Sequence, residues 1–164
     1  MKKTLDQTNP DYFEMVKQRT NEKISLDCFK QTHDLLQQFL PINYCLDIGC
    51  ASGYLYHHIN DLVQHYHGID ASEQFIKYGA DYFKKQAIKN VTLTHSWFEF
   101  NQFEQEFDVS ICLGLFYIQP NFHAFLDEMM RVTKKSIIIR SLFSSETQFR
   151  YVREKPESKT WTYY

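Results

Sequence analysis

Glycine is scarce in this chain, with 5 in 164 residues, and there are only 4 prolines. No repeat or low-complexity stretch occurs, and the one segment that reads as flexible lies around Lys155-Pro156-Glu157-Ser158. No run of 18 apolar residues is present, and the opening MKKTLDQTNP has two lysines with no apolar stretch behind them. Neither a membrane span nor a secretory signal is expected. The four cysteines, Cys28, Cys45, Cys50 and Cys112, never take a CxxC spacing. They read as free thiols in a reducing, cytoplasmic setting, and no metal is expected. A net charge of −2 supplies no basic field, so nucleic acid is not an expected partner. A GxGxxG dinucleotide pattern is also missing.

Aromatic residues are plentiful instead, with 14 Phe and 11 Tyr. At 164 residues the length suits one domain with a substantial core. Apolar positions at helical spacing mark residues 11–23 and 25–39, with Leu26, Phe29, Leu35, Leu36 and Phe39 on one face of the second segment. Pro41 ends that helix. Strands are expected at 44–48, 66–69, 91–94, 108–113 and 136–141, and helices at 54–62, 72–83 (capped by Ser72) and 121–132. Strand and helix in alternation predict an α/β fold, a doubly wound and mainly parallel sheet. Residues 1–40 read as an N-terminal helical cap and 41–164 as the core.

The stretch CLDIGCASGYL, residues 45–55, places a carboxylate, Asp47, at the end of a buried strand. Gly49 to Gly53 then turn into the next helix. In a doubly wound sheet, ligands sit beyond the carboxyl ends of the strands. Glycines there let backbone come close to a ligand, and the helix start offers free N–H groups. A carboxylate at this point repels a pyrophosphate and suits a cofactor with a cationic end.

"LDIGCASG" resembles the first motif of the class I S-adenosylmethionine-dependent methyltransferases, an acid followed by x-Gly-x-Gly-x-Gly, with Ala51 at the middle glycine. "YHGIDAS" resembles the second motif, with Asp70 lying 17 residues after Gly53. "FDVSICLGLFYI" and "FLDEMMRVTKKSIIIRS" resemble the fourth strand and the helix and strand that follow it. The resemblance spans residues 40–142. It implies the Rossmann-like strand order 3-2-1-4-5, with the family's closing hairpin missing or reduced and the chain incomplete at its C-terminal end. It also implies S-adenosyl-L-methionine as cofactor and S-adenosyl-L-homocysteine as product. The cofactor set it implies is Asp47, Gly49, Cys50, Ala51, Gly53, Asp70 for the ribose, Ala71 against adenine, Ser96 and Trp97 at the base, and Leu113.

Ser96 stands where the family commonly has an acid, so its hydroxyl accepts without charge assistance. Past the fourth strand, Phe116 and Tyr117 make an aromatic wall, and the Asn/Asp-Pro-Pro-aromatic signature of amino-methylating enzymes is absent. A small-molecule oxygen or nitrogen acceptor follows, with Tyr12, Phe13 and Arg19 as lid residues and either Arg19 or Tyr12 reaching the methionine carboxylate. No catalytic base is assigned. The histidines, 57 and 58 on one helix and 65 and 67 on a strand, read as solvated rather than as ligands. Lys84-Lys85 and Lys134-Lys135 read as cations at helix ends. The tail carries a short helix over 145–153, and the isoleucine-rich last strand is an edge through which a homodimer could form. A non-catalytic module that binds cofactor or partner is the alternative reading. A nicotinamide oxidoreductase is disfavoured by Asp47 and by the missing GxGxxG.

Overall fold

The computed structural model describes residues 10–141, 151–152 and 162–163. Helix α1 (Pro10–Glu22) and helix α2 (Asp27–Leu36), the latter running into a 3₁₀ turn at Gln37–Phe39, precede β1 (Ile42–Ile48). There follow α3 (Tyr56–Ile59), β2 (Val63–Asp70), α4 (Glu73–Lys85), β3 (Val91–His95) and β4 (Phe107–Leu113). A 3₁₀ turn (Phe116–Ile118), α5 (Phe122–Arg131) and β5 (Thr133–Arg140) complete the main body. The five strands form one sheet in the order β3-β2-β1-β4-β5, every neighbouring pair parallel. A right-handed helical crossover is the connection that parallel neighbours require, which is why helices cover both faces.

β1 and β4 are central, and their sequences show it: Cys45–Ile48 and Phe107–Cys112 are buried without alternation. One apolar layer gathers Leu36, Ile42, Ile59, Tyr66 and Ile111; the other gathers Leu46, Ile48, Phe107, Phe125 and Met129. Ser72 caps α4, its Oγ accepting from the Phe75 N–H at 3.3 Å, and Asn121 caps α5, its Oδ1 accepting from the Ala124 N–H at 3.2 Å. Asp108 fixes the start of β1 against β4. It accepts the N–H groups of Asn43 (2.7 Å) and Tyr44 (3.0 Å) and faces Lys135 Nζ at 3.4 Å, and these partners outweigh burial to lower its pKa.

Several boundaries differ from the sequence-based expectation. The helix expected over 54–62 shrinks to Tyr56–Ile59, flanked by turns with short i→i−3 bonds such as Tyr56 N–H to Gly53 O (3.1 Å) and Leu62 N–H to Ile59 O (3.0 Å). β2 begins at Val63, because buried Val63 and exposed His65 pair with Ile42 and Tyr44 of β1. Lys134 and Lys135 are strand residues of β5, not a helix end; Lys134 pairs with Glu106 at 3.2 Å. His57, His58 and His67 are packed rather than solvated, whereas His65 stays exposed and stacks on the equally exposed Tyr44. His57 sits among Tyr56, Tyr82 and Phe83 and its pKa falls to about 4 through burial, while His58 stacks on Phe29.

β5 is an edge of the five-stranded sheet. Tyr151–Val152 (β6) and Thr162–Tyr163 (β7) form a separate antiparallel pair. The short helix expected over 145–153 is thus replaced by strand at 151–152, while 145–150 lie outside the described residues. Among the described residues no helix is long and apolar enough to cross a membrane.

Helix α1 is fastened to the turn after β1 by a buried pair of hydroxyls. Thr20 Oγ1 and Ser52 Oγ lie 2.6 Å apart, and Thr20 Oγ1 also donates to the Val16 carbonyl at 2.7 Å. Both side chains are fully buried. Thr20→Val keeps the shape but leaves the Ser52 hydroxyl unpaired, so it is expected to lower stability by about 1–2 kcal/mol in urea unfolding. Adding Ser52→Ala to Thr20→Val should then cost little more, which separates pairing from packing.

Candidate cofactor cleft

The turn after β1 explains its own composition. Gly49 (φ +78°), Ala51 (φ +50°) and Gly53 (φ +78°) all take left-handed backbone. The first and last are glycine, which accepts that region without a Cβ penalty. Ala51 carries a strained backbone, and its methyl is buried in a cluster with Val16 and Phe75, which offsets the strain. The turn is drawn onto β2 by the N–H groups of Gly49 and Cys50, both donating to the Ile69 carbonyl at 2.8 and 3.1 Å.

Asp47 ends β1 within this turn's reach and is only 4% exposed. The phenol of Tyr66, on the neighbouring β2, donates to its carboxylate. Burial pushes the Asp47 pKa up to about 7; the Tyr66 bond opposes that rise and the Asp70 charge adds to it. Tyr66 is itself fully buried, and burial raises its phenol well above the ordinary range, so it acts as a neutral donor. The burial of Cys45 and Cys50 likewise pushes their thiols up, which makes both poor nucleophiles.

A cleft of about 710 Å³ opens above Asp47. Its walls come from α1 (Tyr12, Met15, Arg19), from Leu26, Asp27, Cys28, Phe29 and Gln31 at the start of α2, and from Gly49, Cys50, Tyr54 and Leu55. Leu113, Gly114 and Tyr117 after β4 and Arg140 at the end of β5 close the far side. Arg19 is held in place: its Nη1 donates to the Tyr54 hydroxyl at 3.3 Å and its guanidinium lies 5.7 Å from that ring's centre. Tyr12 is within electrostatic reach of Arg19, Asp70 and Tyr117, and burial raises its phenol pKa.

Seven of the residues singled out from sequence therefore share one cavity: Asp47, Gly49, Cys50, Leu113, Tyr12, Arg19 and Tyr117. A second group gathers beyond β2 and β3, outside the cleft lining. Asp70 is half-buried, with Oδ2 accepting the Ala51 N–H (2.9 Å) and Oδ1 the Ser72 N–H (2.8 Å). Ala71, half-buried, offers its carbonyl to His95 Nε2 at 3.1 Å. Ser96 donates its N–H to the Asp70 carbonyl (3.0 Å) and its hydroxyl to the Trp97 carbonyl (2.9 Å), and Trp97 is 39% exposed. Gly53 lies under the turn, packed toward Leu93 and Phe83, and Phe116 turns away from the cleft to pack on Phe122 and Phe125.

Tyr66 beneath Asp47, and Tyr54 and Arg140 in the cleft wall, are the features that the motif reading passes over. Tyr66 carried a signal: a tyrosine on a central buried strand needs a partner for its hydroxyl. Arg140 carried another, because it ends a parallel strand on the ligand-bearing side of the sheet.

A family model described as "Methyltransferase domain" matches residues 43–163, nearly three quarters of the chain. The chain belongs to that family. It is a class I methyltransferase domain with the Rossmann-like fold, in the strand order that defines the class. Solved structures share that fold. YcgJ from Bacillus subtilis is 20% identical with a TM-score of 0.54, over 61% of this chain and 44% of that one. YjhP from E. coli is 19% identical with a TM-score of 0.58, over 74% and 52%. The plantazolicin methyltransferase BpumL, solved with a pentazolic desmethylPZN analog and SAH, is 18% identical with a TM-score of 0.60, over 80% and 53%. This methyltransferase domain thus spans about half the length of these structures. No curated protein matches it in sequence.

Proposed function

We propose that this chain binds S-adenosylmethionine and positions it for transfer of a methyl group to an oxygen or nitrogen of a small-molecule acceptor. The observation that carries the reading is the pairing, in one cleft, of a buried carboxylate on β1 with a guanidinium anchored on α1. An amino-acid zwitterion presents the two complementary charges, an ammonium for Asp47 and a carboxylate for Arg19. The left-handed turn brings backbone rather than side chains to that end of the cofactor. Asp70, aligned by the N–H groups of Ala51 and Ser72, is the carboxylate for the ribose hydroxyls. Ala71, Ser96 and Trp97 stand where the base would lie.

When bound, the sulfonium of S-adenosylmethionine supplies an activated methyl group, so the chain's own task is alignment and exclusion of water. Tyr12, Met15 and Arg19 wall the cleft from the N-terminal side, in keeping with residues 1–40 acting as a cap over a core of 41–164. Leu113 and Tyr117 border the side where an acceptor would enter. The buried, high-pKa cysteines leave no thiolate nucleophile on Cys45 or Cys50, consistent with direct transfer.

Calorimetric titration with S-adenosylmethionine, and with NAD as the contrast, tests the reading. Binding of the first and not of the second is expected. Asp70→Ala should weaken S-adenosylmethionine binding by about 1–3 kcal/mol, because the ribose hydroxyls lose a charged partner. NAD binding in place of S-adenosylmethionine, or unchanged affinity in the variant, would overturn the assignment.

A further inference from the structure

The cleft holds a second guanidinium that the methionine end of the cofactor does not need. Arg140 ends β5 opposite Leu113 in register, and the N–H of Gly114 donates to its carbonyl at 3.0 Å. Its Nη1 lies 3.9 Å from the position a Cβ would take on Gly114, so no side chain there separates the guanidinium from the cavity. Among the described residues the other arginines of the main body are engaged. Arg131 makes a fork with Glu128 at 2.6 and 2.7 Å, and Arg19 is bound to Tyr54. Arg140 has no hydrogen bond or ion pair from its side chain to a described residue.

The charge count of the cleft points the same way. A zwitterionic methionine end uses one acid and one cation, Asp47 and Arg19. Asp27 lines the wall too, but it lies in the first turn of α2, where the helix N-terminus already favours a negative charge. One positive group, Arg140, is left facing the acceptor side beside the apolar and aromatic surfaces of Leu113 and Tyr117. A guanidinium presents a rigid planar fork that matches a carboxylate in two parallel hydrogen bonds.

We infer that the methyl acceptor is a small carboxylic acid with an apolar or aromatic body, held by Arg140 through its carboxylate while its hydroxyl or amino group faces the methyl. The inference rests on the cofactor reading above and adds the acceptor's chemical class. Arg140 is then a specificity-determining residue, placed to orient the acceptor rather than to move a proton.

Ligand-observed NMR on the chain saturated with S-adenosylhomocysteine tests this, using hydroxybenzoates and aminobenzoates paired with their carboxamides. In the wild type the acids should bind at least about tenfold more tightly than the amides. Arg140→Gln should erase that preference and Arg140→Lys should keep part of it, with S-adenosylhomocysteine affinity unchanged within twofold in both. Amides binding as well as acids, a preference that survives Arg140→Gln, or no acid binding to a chain that does bind S-adenosylhomocysteine would each overturn the acceptor proposal alone. Failure of S-adenosylhomocysteine itself to bind would overturn the cofactor reading, and this proposal with it.

Discussion

Gly79→Ala is expected to destabilise the chain by about 2–4 kcal/mol, although glycine within a helix ordinarily gains from this change. Gly79 lies in the middle of α4, and a Cβ built there would fall 2.2 Å from the Ser52 carbonyl oxygen and 2.7 Å from Leu93 Cδ1. The leucine can rotate, but the carbonyl cannot yield. Ser52 is backbone of the left-handed turn, between a Gly53 N–H bonded to the Cys50 carbonyl at 2.8 Å and a side chain locked to Thr20. Helix α4 would have to withdraw from the turn, opening the layer that Phe75, Ile76 and Phe83 fill. The gain in helix propensity, about 1 kcal/mol, is smaller than that loss. Ala80→Gly, at the exposed neighbour, is the control and should cost about 1 kcal/mol. Urea unfolding followed by circular dichroism measures both. A Gly79→Ala chain within 0.5 kcal/mol of wild type, on the ~1 kcal/mol scale of a single helix propensity, would show that α4 does not depend on this close approach.

The same contact shows how far the sequence could be read. Gly79 gave no signal, since a lone glycine in a helical pattern looks like a weak point rather than a fitted one. Its reason is tertiary, a backbone atom 27 residues earlier in the chain. The sheet order and Asp70's place at the end of β2 were legible because the motifs recur at spacings that a βαβ unit imposes. Element edges were less so. Val63–His65 belongs to β2 though two of its three residues are polar and exposed, because Val63 and His65 pair with Ile42 and Tyr44 of β1. Lys134 and Lys135 looked like a helix end for the same reason: charged residues on an edge strand answer to Glu106 and Asp108 on the neighbouring connection and strand. Within the site, the residue types were legible and their division was not. Nothing in the spacing says that Phe116 turns to the α5 side while Tyr117, one residue on, faces the cleft.

Asp47 should make both folding and cofactor binding depend on pH, in opposite directions. Its carboxyl titrates at about 7 in the folded chain, raised first by burial, whereas the unfolded group titrates near its ordinary 3.8. Between those values the folded chain holds a proton that the unfolded chain has lost. Its contribution to stability is therefore full below about pH 4, declines as pH rises toward 7, and is flat above; its size is roughly 4 kcal/mol. Asp47→Asn should remove that slope from urea midpoints measured between pH 4 and 8. Binding runs the other way. An ammonium recruits the ionised carboxylate, so affinity for S-adenosylmethionine should fall about tenfold for each pH unit below 7. At pH 7 the free chain is about half protonated here, and binding should release close to half a proton, read from calorimetric heats in buffers of different ionisation enthalpy. Tyr66→Phe deletes the bond that stabilises the anion and should move the break in the binding profile to higher pH. A wild-type affinity flat from pH 5.5 to 7.5, with no proton released, would mean that the ammonium is not met by Asp47, and the electrostatic basis for this cofactor in the cleft would be lost.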